Sequence, residues 1–590
     1  MYEPPTRLLR VDLDAETVES EAVPGEWRRR FVGGKGLGAR YLYEELDAGV
    51  DPLGAENALL FVLGPLSGVL PGDARYAVVT KSPLTGAFLD SYGGGTFPGR
   101  LVGALGDHLG VLVTGAADRP VRLEVADGTA HVRPADGLWG EDTRATDAAF
   151  PDAGVACIGP AGERRVRYAT IASDGGEHQA GRGGAGAVMG SKRLKAVVAR
   201  GRPPDALAEL RQRLTERFTE DEENEWYLTS ETLETVDFAD EIGALATRGW
   251  REREFEGADD IGIEAASRAA SERERRDEPI PGGFRVETDA GESVPRGATP
   301  MSLGAGLGID DFDAVAALGE TCDRLGIDVI SAGTAVAWAI RAEIAADHGR
   351  DLDFGDPEDA RRLLEDVAAR ETELGDALAE GVARAARRYG GEDLVPTVKG
   401  MALPAYDPRG AVGMALAYAT SDRGACHRRA LPVETEALSG ASWTPADTAR
   451  LVAHDQDVRS ILWSLVADDF VGRSLRETLG AEWLRAAGME FTPEQLLRTG
   501  ERIWTLTRLF NLREGFTRAD DDVPDLLLDS SAGDGVGGQL DAETFEAMLD
   551  AYYAVRGWDA AGRPTRATLE AVGLADVVDE ATPTGSRDPG

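Results

Sequence analysis

Gly181-Arg182-Gly183-Gly184-Ala185-Gly186-Ala187-Val188-Met189-Gly190-Ser191-Lys192 is a glycine-rich run carrying cations inside and after it. Glycine loses more conformational freedom on folding than any other residue, so such a run implies backbone held close to something. Two readings follow. The amides, with Arg182, Lys192, Arg193 and Lys195, cradle a phosphate-bearing cofactor, or the run is a tight corner packed in the core. The choice governs how the whole N-terminal third is read.

Around the run, the first 200 residues read as β-rich. Arg7 to Leu13 alternates as a strand, and Ala58 to Leu63, Tyr76 to Thr80, Gly110 to Thr114, Val121 to Val125, Val155 to Ile158 and Ala196 to Ala199 are further candidates between Gly, Pro and Asp turns. Glu26 to Leu46 has helical periodicity and contains Gly33-Gly34-Lys35-Gly36-Leu37-Gly38-Ala39. A dinucleotide fingerprint needs a strand before such glycines; a helix-like segment precedes these. Beyond Pro203-Pro204 the texture turns helical: Ala206 to Thr219, Phe312 to Arg324, Ser331 to Ala346, Pro357 to Leu374, Leu378 to Tyr389, Pro445 to Val466, Pro493 to Asn511 and Ala542 to Gly557. Val398 to Gly410 interrupts it. The expected class is α+β, with a β-rich domain over 1–203 and mainly helical domains over 204–396 and 397–590. The tail from about Glu580 is expected to fray.

The 590 residues carry 104 acidic against 63 basic side chains, a net charge of −41. Only Lys35, Lys81, Lys192, Lys195 and Lys399 are lysines, so arginine supplies nearly all the positive charge. Acid spread along the whole chain reads as a solvated skin adapted to high salt, and it argues against nucleic acid as a partner. The melting temperature is expected to rise from about 0.1 to 2 M KCl, because the Debye length falls from about 10 Å at 0.1 M to about 3 Å at 1 M. A flat or falling value in a thermal-melt series would contradict that reading. Cys157, Cys322 and Cys426 are far apart, and neither CxxC nor HExxH occurs, which excludes metal sites built on those motifs. No signal peptide and no apolar membrane span is read, and a reducing cytoplasm is expected.

Several strings, in order, resemble the aldehyde:ferredoxin oxidoreductases, the tungsten-pterin enzymes. They are Arg75-Tyr76 with Val78 to Gly86, Ile158-Gly159-Pro160-Ala161-Gly162-Glu163, the 181–192 run, Cys322-Asp323-Arg324-Leu325-Gly326-Ile327-Asp328, Pro404 to Gly410, Gly424-Ala425-Cys426-His427, Gly500 to Trp504 and Leu509 to Leu512. The resemblance implies a β base for two pterins under two helical domains. It also implies oxidation of an aldehyde to a carboxylic acid at a tungsten or molybdenum bis-molybdopterin, with ferredoxin or another redox protein as acceptor. A homodimer, or pairing with a family member, is expected.

By the same resemblance, Arg75 serves a pterin phosphate, and Gly94, Gly95, Gly181 and Arg182 surround the pterins. Asp323 and Asp328 are the acids of the first pterin motif, suited to a ring edge that offers N–H donors. Arg429 stands for a lysine on the second pterin, Asp468 closes the second motif, and His427 lies near the metal as the catalytic hydrogen-bond donor to the aldehyde oxygen. Other positions depart from the family. The stretch that should hold cluster cysteines reads Arg275 to Gly282, and Asp468 stands where a fourth cluster cysteine is usual, so the family's [4Fe–4S] cluster is expected to be absent. Trp463 replaces an acid of the second motif and is expected to fill space there. The family's glutamate beside the metal aligns near Ala298, its asparagine below the phosphates with Tyr92, and one of its arginines with His178. These departures leave two alternatives open: a non-catalytic paralogue, either pterin-binding or an empty scaffold, and an unrelated dinucleotide enzyme using Gly34 to Ala39.

Overall fold

The computed structural model describes residues 2–439, 443–528, 535 and 538–586. The chain forms two compact units. The first comprises Met1–Glu225, Asp323–Ile327 and Asp457–Phe510, and the second comprises Trp226–Cys322, Asp328–Gln456 and Asn511–Gly590.

The first unit is built on twelve strands: β1 (Arg7–Asp12), β2 (Thr17–Ala22), β3 (Leu59–Val62), β4 (Tyr76–Lys81), β5 (Phe88–Gly93), β6 (His108–Thr114), β7 (Val121–Ala126), β8 (Thr129–Pro134), β9 (Gly154–Cys157), β10 (Ile171–Ser173), β11 (His178–Ala180) and β12 (Leu194–Arg200). They pair into two six-stranded sheets, in the orders β2-β1-β6-β3-β4-β5 and β11-β10-β9-β12-β7-β8. Each sheet is antiparallel except for one parallel pair, β1 with β6 and β12 with β7. The central strands β3 and β4 are buried along their whole length, as apolar runs without alternation require.

Two helices, Thr96–Leu105 and Ala185–Ser191, contact strands of both sheets. The first buries Phe97, Leu101, Ala104 and Leu105, the i, i+4, i+7, i+8 stripe of an amphipathic helix. One core joins Phe61, Tyr76, Phe97, Ile158, Val188 and Val197, so the glycine-rich run opens the helix that fills the space between the sheets.

Residues 26–46, periodic as one helix, form two: Gly25–Phe31 and Gly34–Glu45. The break is at Val32, a branched residue at φ 65°, and at extended Gly33. A Cβ on Gly36 would lie 2.2 Å from the Phe31 carbonyl oxygen. This glycine therefore serves a close helix crossing. A helix, not a strand, precedes the run, so the dinucleotide alternative fails on its own criterion.

In the second unit the helix Ala542–Arg556 follows the sequence pattern, whereas the segment read as Pro357 to Leu374 ends as a helix at Ala369, where Arg370 adopts φ 53°, and a new helix runs over Glu373–Ala379. The segment read as Ser331 to Ala346 stops at Arg341, because Glu343 adopts φ 58° before a short turn over Ile344–Asp347. Gly585 bridges Thr565, which anchors part of the tail expected to fray; residues 587–590 lie outside the described residues. No described helix is long and apolar enough to cross a membrane.

Glu436 is buried on the helix Pro432–Ser439, where its Oε2 accepts from the Gly413 amide at 3.1 Å. Burial pushes its carboxyl up to about 7. A folded value above the unfolded one means that the ionised form costs stability at high pH, and that the cost disappears as pH falls from about 7 through 4.5. Glu436→Gln is therefore expected to stabilise the protein by about 2 kcal/mol at pH 8 and by nothing near pH 4.5. Denaturant melts at the two pH values check this, and an equal effect at both would contradict it.

Candidate cofactor site

Seven of the residues singled out in the sequence lie in the first unit: Arg75, Gly94, Gly95, Gly181, Arg182, Asp323 and Asp468. Asp328, His427 and Arg429 lie in the second.

In the first unit, the turn from β5 into the helix Thr96–Leu105 gathers a polar knot. Gly95 takes φ 80°, which points its amide and that of Thr96 off the helix N-terminus. The Gly95 amide donates to Asp73 Oδ1 at 3.0 Å, and the Thr96 amide to Asp174 Oδ2 at 2.7 Å. Gly94 and Gly95 permit this approach, since a Cβ on Gly94 would sit 2.3 Å from Asp73 Oδ2, and one on Gly95 2.0 Å from Asp174 Oδ2. Arg75 Nη2 lies 3.1 Å from Asp73 Oδ2 and 3.3 Å from Asp468 Oδ1, and His178 Nδ1 is 3.5 Å from Asp73 Oδ2. The structure thus joins Arg75, Gly94, Gly95 and Asp468. It adds Asp73 and Asp174, which the sequence reading missed; Asp73, two residues before Arg75 on a turn, was the available signal.

An arginine and a helix N-terminus are donors of the kind a phosphate uses. Here the chain's own carboxylates meet those donors, and an incoming phosphate would compete with Asp73, Asp174 and Asp468.

The 181–192 run resolves toward packing. Arg182, Gly183 and Gly184 are all left-handed, at φ 68°, 67° and 87°. A Cβ on Gly184 would lie 2.0 Å from the Arg167 oxygen, on Gly186 2.2 Å from that of Thr170, and on Gly190 1.9 Å from that of Gly162. Ser91 and Ser82 hydroxyls donate to the Gly181 and Gly183 carbonyls at 2.6 and 2.7 Å. The close approach at these glycines is to the protein itself.

The lysines of the run correct the cradle reading further. Lys192 Nζ donates to the Ala55 and Gly115 carbonyls at 3.0 and 2.9 Å, and Lys195 Nζ to those of Glu141 and Ile158 and to Glu163. Both are fully buried, and burial lowers Lys192 to about 8. The other lysines behave alike. Lys35 pairs with Asp90 at 3.3 Å, Lys81 donates to the Val50 carbonyl, and Lys399 to that of Ala419 and to Asp521. An ammonium offers three donors from one point, which suits several converging carbonyls.

Trp463 stacks on Tyr92, with ring centroids 3.8 Å apart. The Tyr92 hydroxyl donates to Asp90 at 2.6 Å, so the stack sits on the buried Lys35–Asp90 pair. Trp463 is 4% exposed, and the space at that half of the motif is filled by two rings.

Asp323 is half-buried at the end of the helix Phe312–Leu325. Its carbonyl accepts from Thr143 Oγ1 at 3.0 Å and Gln179 Nε2 at 3.3 Å. Gly326 at φ 74° then turns the chain, and Ile327 bridges Ala169.

In the second unit, Asp328 caps the helix Val329–Arg341, its Oδ2 accepting from the Ser331 amide at 2.9 Å and hydroxyl at 2.6 Å. Arg429 is 1% exposed and bonds Asp422 Oδ1 at 2.9 Å. Arg423 Nη2 lies 3.0 Å from Cys426 Sγ, and the Asn511 amide donates to the Asp422 carbonyl at 2.7 Å. His427 is half-buried, with its ring 6.2 Å from that of Tyr406.

The stretch expected to lack cluster ligands is the turn between the strands Ala270–Arg273 and Phe284–Thr288. It is closed by protein contacts. Glu274 Oε2 accepts from the Gly283 amide at 2.9 Å and from Arg296 Nη2 at 2.7 Å, while Arg296 Nη1 reaches Glu231 Oε1 at 2.7 Å. Burial alone would raise Glu231, but Arg296 and Thr232 hold its carboxyl below the ordinary range. Cys157, Cys322 and Cys426 are free and buried. Among the described residues, no group of three or more His, Cys, Asp or Glu side chains is placed to hold a metal ion.

Comparison with known proteins bears on the chain end to end. The family model of the aldehyde ferredoxin oxidoreductase N-terminal domain matches residues 8–201, and that of aldehyde ferredoxin oxidoreductase domains 2 and 3 matches 209–574. The tungsten-containing aldehyde ferredoxin oxidoreductase of Pyrococcus abyssi is 33% identical, over 97% of this chain and 99% of its own. The WOR-like subunit of an aliphatic sulfonate oxidoreductase from Pyrococcus furiosus is 28% identical over 98% of each chain. Among solved structures, the active-site complex BamBC of benzoyl coenzyme A reductase with 1,5-dienoyl-CoA matches with a TM-score of 0.84 over 98% of each chain, at 23% identity. That likeness supports the α+β fold of a sheet-rich N-terminal part followed by helices. With two domain models covering it almost throughout, this chain belongs to the aldehyde ferredoxin oxidoreductase family.

Proposed function

We propose that this protein oxidises an aldehyde to a carboxylic acid at a tungsten bis-pterin. The observation that carries the reading is end-to-end identity of 33% with tungsten-containing enzymes of that name. Arg75 and the helix N-terminus at Gly95–Thr96 would hold a pterin phosphate, with Arg182 and Gly181 beside it. Asp323, Asp328 and Asp468 would accept from pterin donors, Arg429 would serve the second pterin, and His427 would donate to the aldehyde oxygen. When bound, the metal and its dithiolenes supply the two-electron redox chemistry; the protein orients the substrate and the protons. Three parts, divided near 203 and 396, would carry these roles in a cytoplasmic, high-salt setting.

Two features set the proposal apart from the family pattern. No [4Fe–4S] cluster is expected, because Arg275, Glu278, Gly282 and Asp468 stand where the family has cysteine thiolates. Electrons would then leave directly to ferredoxin or another redox protein, or through a partner chain of the family. The second reading, a non-catalytic paralogue, is favoured by the Tyr92–Trp463 stack.

Metal analysis of protein from cells supplied with tungstate, together with aldehyde-dependent reduction of a viologen dye, tests both readings. The enzyme reading expects about one tungsten per chain and dye reduction. A paralogue would reduce no dye, with tungsten present if it is pterin-binding and absent if it is an empty scaffold. About four irons with matching acid-labile sulfide would overturn the cluster-free proposal.

A further inference from the structure

In the first unit β2 is an edge strand of its sheet, and Ser20 stands exposed on it. The order β2-β1-β6 sets Ser20 opposite Leu9, and Arg7 opposite both Ala22 and His108. Arg7 and Leu9 share one face of β1, because side chains alternate along a strand. Arg7, Ser20 and His108 therefore meet on one face of three neighbouring strands. Ser20 is open to solvent, Arg7 is half-buried and His108 is 7% exposed.

The hydrogen bonds among them run in one direction. His108 Nδ1 lies 2.8 Å from the Leu105 carbonyl oxygen, which can only accept. Nδ1 therefore carries the hydrogen, and in the neutral ring Nε2 keeps its lone pair. Ser20 Oγ lies 2.7 Å from that nitrogen, so its hydroxyl donates there. Arg7 Nε donates to Ser20 Oγ at 2.6 Å, and Nη2 to the Ser20 carbonyl at 2.8 Å.

Each member has a chemical task. Leu105 ends the helix Thr96–Leu105, and its carbonyl is one of the last four, which have no partner within a helix. It fixes the imidazole tautomer. The negative end of the helix dipole also favours the imidazolium that forms when Nε2 takes up a proton. The Arg7 guanidinium stays charged and favours negative charge developing on Oγ. Nucleophile, base and orienting acceptor stand in a row, the arrangement that activates a hydroxyl, with a main-chain carbonyl as the third member.

We infer that Ser20 is a nucleophile that takes an acyl group from an activated acyl donor, such as a phenyl ester, with His108 as its base. Oγ bonds the acyl carbon, the bond from that carbon to the phenolate oxygen breaks, and the Ser20 proton passes by way of Nε2 to the phenolate. No electrons are exchanged and no further reactant is needed. The reaction uses none of the residues assigned to the pterins, so it stands apart from the proposed aldehyde chemistry.

Exposure of the full chain to 4-nitrophenyl acetate, followed by an acid quench and peptide mass mapping, tests the inference. Ser20 is expected to be acetylated at least about tenfold faster than any other hydroxyl, a positioned base contributing about 10²–10⁴. If water removes the acetyl group as fast as it forms, the same chemistry is read as 4-nitrophenolate release that depends on Ser20 and is lost in Ser20→Ala. His108→Gln keeps a side chain able to hydrogen-bond Ser20 but removes the base, so it is expected to slow the reaction at least about tenfold without changing the melting temperature. Arg7→Gln, which removes the cation beside Oγ, is expected to slow it too and serves should His108→Gln fail to fold. Two outcomes would overturn the inference. One is Ser20 reacting no faster than other hydroxyls with no Ser20-dependent release. The other is a rate indifferent to a folded His108→Gln or Arg7→Gln variant, which would leave these hydrogen bonds a purely structural tie between strands.

Discussion

Arg296→Ala is expected to lower the unfolding free energy by about 3–5 kcal/mol, the range for removing one partner of a buried ion pair. Glu231 and Glu274 are 7% and 5% exposed on their side chains, and Arg296 bridges them at 2.7 Å on each side. Without the guanidinium, two like charges remain buried in one place. The deficit should therefore shrink as pH falls and these carboxyls take up protons, since removing Arg296 removes the main group that holds Glu231 low. Chemical denaturation at neutral and acid pH checks both parts. A loss under about 1 kcal/mol at neutral pH, the scale of a surface pair, would mean that the triad does not hold the hairpin.

Asp323→Ala is expected to cut tungsten retained through purification by at least about tenfold, one to two kcal/mol being enough for that change. Alanine keeps the Asp323 carbonyl that accepts from Thr143 and Gln179. Asp328 needs the gentler change to asparagine, since its carboxylate caps a helix and alanine would cost about 1 kcal/mol of cap. Metal per chain and melting temperature, measured together, separate the roles. Unchanged tungsten in Asp323→Ala would remove this residue from the pterin-holding set.

The strands of the first unit were legible wherever apolar runs ended in turn residues, as with Tyr76–Lys81 and Val121–Ala126. Phe88–Gly93 escaped because Asp90 and Ser91 look exposed by type yet are fully buried, one against Lys35 and the other on the Gly181 carbonyl. Composition does not disclose such pairings across long separations. The helix over 26–46 was legible but its break was not, since valine at φ 65° is held by tertiary contact rather than by preference. For the site, Arg75, Gly94, Gly95 and Asp468 do meet. The carboxylate of Asp174 was invisible because acids are abundant everywhere in this chain, and Asp73 had only its place beside Arg75 to mark it. The glycines of 181–192 were read correctly as close-approach positions, but sequence spacing does not say whether the approaching atom belongs to a ligand or to the chain.

The inward-turned lysines have a chemical consequence. Aldehydes condense with exposed primary amines to form Schiff bases, and a protein that handles them risks steady covalent damage. Here Lys35, Lys81, Lys192 and Lys195 are at most 5% exposed, and the Lys399 side chain is 1% exposed. Arginine, whose guanidinium stays protonated and is a poor nucleophile, takes the surface instead. Apart from the α-amino group, an aldehyde diffusing over this molecule meets no accessible amine, so the folded chain resists adduct formation and amine-directed cross-linking, and unfolding removes that protection.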